Sequence, residues 1–244
     1  MVKIKKMKLL NSLKIKIFAD GANFDEIITL NQKEFIKGFT TNPSLMKKAK
    51  IQNYETFAKD LLNQIKDKPV SFEVFSDELE EMEKQAEKIA TWGNNVNVKI
   101  PITNTKNIST KALIKKLSQK GIVCNITAIF TLEQIKEVVE VLHKDTPAIL
   151  SVFAGRIADT GLNPEEIIAS SVRYAKKKPL SEILWASTRE TLNIFQAEDI
   201  GCHIITVPHS MLKKLDLIGK DLNQYSIETV KDFYNDAKSA GYNL

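Results

Sequence analysis

The chain has 244 residues, 43% of them hydrophobic, with 9 glycines and 7 prolines, which supplies one sizeable core and excludes a disordered chain. Its 35 basic and 30 acidic residues leave a net charge of +5. The two signs are interleaved instead of gathered into a tract, so the charge favours an anionic small molecule at least as much as nucleic acid.

The N-terminal stretch "MVKIKKMKLLNSLKIKIF" is basic, but Lys and Asn interrupt it before a signal-peptide core can form. No other segment approaches the roughly 18 uninterrupted apolar residues of a membrane span. Cys124 and Cys202 are too few for a disulfide framework; both read as free structural thiols, and a reducing cytoplasm is the expected location. Residues 1–13 form an extension to which the pattern assigns no structure. Short β-branched or aliphatic runs then follow at 14–20, 35–40, 70–74, 95–100, 122–127, 148–153, 182–187 and 203–207, which predicts eight strands. Segments of helical period lie between them. One covers 77–92 with Ser76 as its predicted cap, and another covers 131–144 with Leu132, Ile135, Val138, Val139 and Leu142 on one stripe. Asn163 before Pro164, with acidic residues next, predicts another helix start. A last helix is predicted over 226–244. No linker or repeat divides the chain, so 1–244 reads as one domain. Eight strands each followed by helix in about 250 residues is the arithmetic of a (β/α)8 TIM barrel, an α/β fold. A doubly wound open sheet uses the same alternation and is the structural alternative.

In a barrel, chemistry gathers where the strands end and the βα loops begin. Asp20 ends the first run, Asn42 follows the second, Glu73 lies near the end of the third and Lys99 near the end of the fourth. Asn125 and Thr127 end the fifth, Ser151 and then Arg156 the sixth, and Ser187 with Arg189 the seventh. Residues two apart on a strand share a face. In "NVNVKIPIT" (95–103), Val96, Val98 and Ile100 therefore face the helices while Asn95, Asn97 and Lys99 face the barrel interior. The same parity groups Ser71 with Glu73, and Val123 with Asn125 and Thr127. A buried lysine is costly to keep charged, and a free amine is what a Schiff-base nucleophile needs. The alternative is a structural ion pair with Glu73 or Asp20; the surrounding Asn, Thr and Ser side chains favour the nucleophile.

The stretches "KGFTTNPSLM" (37–46), "VNVKIPIT" (96–103), "CNITAIFT" (124–131), "SVFAGRIADTG" (151–161) and "ILWASTRE" (183–190) resemble, in order and spacing, the motifs of the transaldolase family, from Phe18 onward. The resemblance implies a (β/α)8 barrel that forms a Schiff base with a ketose phosphate on Lys99. It implies that Asp20 takes the C4 hydroxyl proton as the C3–C4 bond breaks, and that Glu73 and Thr127 hold the water that shuttles protons. Asn42, Asn125 and Ser151 would bind the dihydroxyacetone part, and Arg156, Arg189 and Ser187 the phosphate. No metal or cofactor is implied. The expected partners are sugar-phosphate substrates and further copies of the chain in a homo-oligomer, with no nucleic acid and no membrane.

Some relatives are fructose-6-phosphate aldolases, in which a tyrosine typically follows the sixth strand and a glutamine stands near the end of the third. Phe153 and Glu73 occupy those positions here, which resembles the transferase pattern. Gly21 and Ala22 depart from the Thr or Ser that commonly follows the aspartate in relatives, and Val152, Ala154 and Thr188 depart from the family's bulkier residues, so donor preference stays open. His143 and His203 read as surface or packing residues, while His209, just after Pro208, faces the active rim as a secondary candidate for substrate contact. None of the three has metal-site spacing. A non-catalytic barrel binding phosphorylated ligands or nucleic acid is the remote alternative, motivated by the lysine-rich stretches "KALIKKL" (111–117) and "AKKKP" (175–179). Those lysines read as solvated helix faces, and no nucleic-acid motif accompanies them.

Overall fold

All eight predicted strands form, each parallel to its neighbours, and the eighth pairs with the first to close a barrel in sequence order. The structure, a computed structural model, describes residues 10–242. The strands are β1 (Lys16–Asp20), β2 (Ile36–Thr40), β3 (Val70–Glu73), β4 (Val96–Pro101), β5 (Cys124–Ile129), β6 (Ala148–Val152), β7 (Ser181–Trp185) and β8 (Ile204–Pro208). Helices α1 (Phe24–Asn31), α2 (Pro43–Lys48), α3 (Tyr54–Gln64), α4 (Leu79–Ala90), α5 (Lys111–Gln119), α6 (Leu132–Val141), α7 (Ala154–Ala158), α8 (Pro164–Ala175), α9 (Leu192–Asp199), α10 (His209–Leu212) and α11 (Leu222–Ser239) fall between and after them. Closure decides for the barrel over the open sheet.

Strand alternation sorts the side chains into two cores. Val96, Val98 and Ile100 join the main cluster between strands and helices, together with the stripe Ile135, Val138, Val139 and Leu142. Phe18, Ile149, Leu184, Ala186 and Ile204 make a separate small cluster, each on the face of its strand that parity turns inward. This apolar plug fills the barrel below the polar rim, so the inward residues nearest the C-terminal strand ends stand on a packed floor.

Several boundaries differ from those predicted, each for a local reason. β1 starts at Lys16 instead of residue 14, because the Lys14 and Ile15 backbone amides donate to the Glu198 carboxylate, at 3.1 and 2.7 Å, before strand pairing begins. β5 extends to Ile129 through a register shift after Ile126, with Ala128 at φ +58°. Ser76 does not cap the following helix: α4 begins at Leu79 after Glu78, which makes no side-chain cap. The Gln85 carbonyl instead reaches back to accept from the Phe75 and Ser76 amides at 2.9 and 3.0 Å. The capping predicted at Asn163 is present, and Thr131 with Gln134 forms a full capping box.

The predicted C-terminal helix begins four residues earlier than 226, capped by Asp221, whose side chain accepts from the Gln224 amide at 2.8 Å. Its apolar residues Leu222, Ile227, Val230, Phe233 and Tyr234 are each at least half exposed. At the other end of the chain, residues 10–12 are helical and Leu10 is buried in the main core; the rest of the N-terminal extension, 1–9, and residues 243–244 lie outside the described residues. Among the described residues, no helix is long and apolar enough to cross a membrane.

Candidate active site

The cavity at the C-terminal mouth of the barrel, about 180 Å³, is lined by Asp20, Asn42, Lys99, Thr127, Ser151, Arg156, Ser187 and Arg189. Eight of the ten residues expected from sequence thus line one cavity. The other two adjoin it: Glu73 pairs with Lys99, and Asn125 binds Ser151.

Lys99 is buried, 6% exposed, with its Nζ 3.1 Å from Glu73 Oε2 and donating to the Thr41 carbonyl at 3.1 Å. Register explains the pairing, since Lys99 sits opposite Glu73 on β3 and opposite Asn125 on β5. The ion-pair alternative and the nucleophile are therefore not exclusive: Glu73 neutralises the lysine and stands within reach of any proton it sheds. Glu73 is itself fixed by Tyr54 on α3, whose hydroxyl donates to the Glu73 carbonyl at 2.9 Å and accepts from its amide at 2.8 Å. Burial pushes the Tyr54 phenol well above its ordinary value, so it stays protonated and keeps both bonds.

Asp20 faces Lys99 across the cavity. Burial raises its carboxyl above the ordinary value of 3.8, against the opposing pull of Lys99, of the Thr40 hydrogen bond and of His209. Thr40 Oγ1 donates to Asp20 Oδ1 at 2.7 Å and lies 2.5 Å from the Thr206 hydroxyl. β8, the strand for which the sequence offered no polar rim residue, thus contributes Thr206. Alternation would have found both threonines, because each shares the inward face of its strand; Tyr54, on a helix, carries no such signal.

On the other side, Ser151 Oγ donates to Asn125 Oδ1 at 2.6 Å, and Asn125 Nδ2 donates to Ser71 Oγ at 3.1 Å. The two serine hydroxyls hold the Asn125 amide at both ends. Thr127 is different. Its hydroxyl is buried and has no hydrogen-bond partner among the described residues. The bulge at Ala128 follows directly, and bulges re-aim neighbouring side chains toward functional sites. An unpaired hydroxyl beside a lysine is a place for a water or a substrate oxygen. Asn42 is only half available, because its Oδ1 caps α2 by accepting from the Leu45 amide at 3.0 Å; the Nδ2 group is left to bind.

The cationic side of the mouth comes from the β6 and β7 loops. The Arg156 guanidinium stacks over Phe153, 5.4 Å from its centroid, and is exposed. Arg189 is clasped by Asp159 through two bonds of 3.1 and 2.6 Å, which holds the Asp159 carboxyl below its usual value. Ser187 adopts φ +63° and turns its carbonyl toward α7. Only glycine at 155 permits that approach, since a Cβ there would lie 1.6 Å from the Ser187 oxygen. Two guanidinium groups and a hydroxyl at one mouth match a phosphate by charge-assisted hydrogen bonds.

His209 is not among the residues that line this cavity. Its ring is buried, with Nδ1 2.8 Å from Glu26 Oε2, and it packs against the backbone of Gly21. Here lies the reason for the glycine after the aspartate: a Cβ at Gly21 would lie 2.4 Å from the imidazole Cε1. Gly21→Ala is expected to cost about 1–3 kcal/mol by overpacking, with His209→Ala restoring part of the loss in the double variant. Thermal melts showing Gly21→Ala at parental stability would refute this. His203 accepts from the Ile183 amide at 2.9 Å, and His143 accepts from the Asp145 amide at 3.4 Å, which fits the packing roles expected of them.

Comparisons with known proteins show the family, and one solved structure shows the fold, that carry this geometry. The family model Transaldolase/Fructose-6-phosphate aldolase matches residues 17–244. A probable transaldolase of Thermoanaerobacter sp. (strain X514) is 34% identical over 224 residues, 91% of this chain and 98% of that protein. A probable transaldolase of Clostridium kluyveri (strain ATCC 8527 / DSM 555 / NBRC 12016 / NCIMB 10680 / K1) is 35% identical over 202 residues, 82% of this chain and 89% of that protein. A crystal structure from Burkholderia cenocepacia J2315 shares the fold, with a TM-score of 0.59 at 11% identity, covering 99% of this chain and 90% of that one.

Proposed function

The chain belongs to the transaldolase/fructose-6-phosphate aldolase family, and on that premise we propose that it is a transaldolase acting through a Schiff base on Lys99. The donor is a ketose phosphate such as fructose 6-phosphate or sedoheptulose 7-phosphate, and the acceptor is an aldose phosphate. The observation that carries this reading is the buried Lys99 held by Glu73, in one cavity with Asp20 and the unpartnered Thr127 hydroxyl.

Lys99 Nζ adds to the ketose C2 carbonyl, and the carbinolamine loses water to give the iminium. Glu73 and Thr127 hold the water that relays protons in this step and in its reversal. The iminium draws the C3–C4 bonding electrons as Asp20 takes the C4 hydroxyl proton, and the aldose fragment leaves. The remaining enamine attacks the acceptor aldehyde through C3, Asp20 returns the proton to the new alkoxide, and water releases the product from Lys99. Asn125, Ser151 and the free Nδ2 of Asn42 orient the three-carbon unit, while Arg156, Arg189 and Ser187 receive the phosphate. Phosphate binding would draw Arg189 from Asp159, an exposed clasp that costs little to open.

Transfer is favoured over release of free dihydroxyacetone because Phe153 lines the cavity with an apolar ring. No phenol stands at that position to protonate the enamine, which then waits for an aldehyde. A coupled assay with fructose 6-phosphate is expected to turn over only when erythrose 4-phosphate is present. Equal turnover without the acceptor would move the protein to the aldolase branch of the family.

Assembly into a homo-oligomer belongs to the same proposal. Its support is the apolar stripe of α11, which as a solvent-facing surface on a lone protomer would be a liability. Sedimentation at micromolar concentration tests it, with a monomer as the refuting result.

A further inference from the structure

The opposite mouth of the barrel, where the strands begin, holds a second cavity of about 400 Å³, larger than the one at the active rim. That volume lies within the range of small-molecule sites, about 300–1,000 Å³. Its inner wall is apolar, formed by Phe18, Val123 and Ile149 on the inward faces of β1, β6 and the start of β5. Its rim carries Lys14, Lys16 and Lys37. Lys16 is neutralised by Glu182 at 2.8 Å, whereas Lys14 and Lys37 have no acidic partner among the described residues.

The decisive residue is Asn97, which lies two positions before Lys99 on the same face of β4 and lines this lower cavity. It is 6% exposed, yet its amide makes no hydrogen bond to any described residue. Its neighbours are satisfied: Asn95 donates to the Ile65 and Lys68 carbonyls, and Asn125 is held between Ser71 and Ser151. Unlike the Thr127 hydroxyl, the Asn97 amide is not sealed off: it opens onto the cavity, where a ligand can pair with it.

We propose that this N-terminal mouth is a second ligand site, which takes an aryl carboxylate: the ring lies against Phe18, the anionic head sits between Lys14 and Lys37, and a distal hydroxyl pairs with Asn97. The site is independent of the Schiff-base reading, because the two cavities have no lining residue in common.

Isothermal titration of the full chain with 4-hydroxyphenylacetate is the test, with phenylacetate and tyramine as comparison arms. Saturable one-to-one binding is expected for 4-hydroxyphenylacetate, several-fold weaker binding for phenylacetate, and none for the cationic tyramine. The Lys14→Glu/Lys37→Glu variant is expected to bind about tenfold more weakly with unchanged acceptor-dependent turnover. Asn97→Leu should abolish the preference for the hydroxylated ligand; if that interior variant fails to fold, the ligand series and the surface variant decide alone. Absence of saturable binding, as when ordered water alone fills the cavity, would overturn the proposal. So would tyramine binding as tightly as the acid, or displacement of the ligand by fructose 6-phosphate.

Discussion

Lys99→Met is expected to lower acceptor-dependent turnover by at least about 10⁴-fold, the scale of removing a covalent nucleophile, and to abolish the adduct that borohydride traps with fructose 6-phosphate. Methionine keeps the straight-chain volume in a site that is 6% exposed, so packing is preserved while the amine is lost. The same change strands Glu73, whose side chain is 16% exposed and loses the cation 3.1 Å away. Breaking a buried pair from one side costs about 3–5 kcal/mol, and the partial access of Glu73 to the cavity places this case at the lower end. The double variant Lys99→Met/Glu73→Gln should therefore recover much of the lost stability and none of the activity. That divergence separates chemistry from folding. An adduct that still forms on Lys99→Met, detected by peptide mass spectrometry, would remove Lys99 from the nucleophilic role.

Much of this arrangement was legible in the sequence because a barrel translates strand order into position. Once eight runs alternate with helices, the polar residue near the end of each run must meet the others at one rim, and period-two alternation decides which of them point inward. Lys99, Asp20, Thr127 and Ser151 followed from that geometry together with the family resemblance. Other features did not follow, for identifiable reasons. Tyr54 reaches Glu73 from a helix, at a sequence separation of 19, through a contact that only tertiary packing creates. Gly21 read as a departure from the family pattern, and its cause, the His209 ring, comes from the end of β8, a strand that meets β1 only when the barrel closes. Ser76 had the composition of a cap, but the helix begins only at Leu79, and Gln85 binds the Ser76 amide instead. Local sequence reports a group's preference; it does not report which distant group satisfies it first.

Asp20→Asn is expected to reduce turnover by about 10²–10⁴-fold, the range for loss of a general base, while making the protein more stable at neutral pH. The sign follows from burial. Desolvation, the largest influence on this carboxyl, raises it above 3.8, so the folded state holds the Asp20 proton more tightly than the unfolded chain does. As pH climbs from 3.8 through the raised folded value, the unfolded state releases its proton first and stability falls; below 3.8 both states are protonated and the penalty is absent. Asparagine carries no charge to desolvate and can keep accepting from Thr40 through its carbonyl oxygen. The stability gain of the variant should therefore be present at pH 7 and vanish near pH 3, which denaturant titrations at the two pH values would measure. A variant less stable than the parent at pH 7 would mean that Lys99, Thr40 and His209 together outweigh desolvation. In that event Asp20 would rest firmly ionised, without the raised affinity for a proton that lets one carboxyl both take the C4 proton and return it.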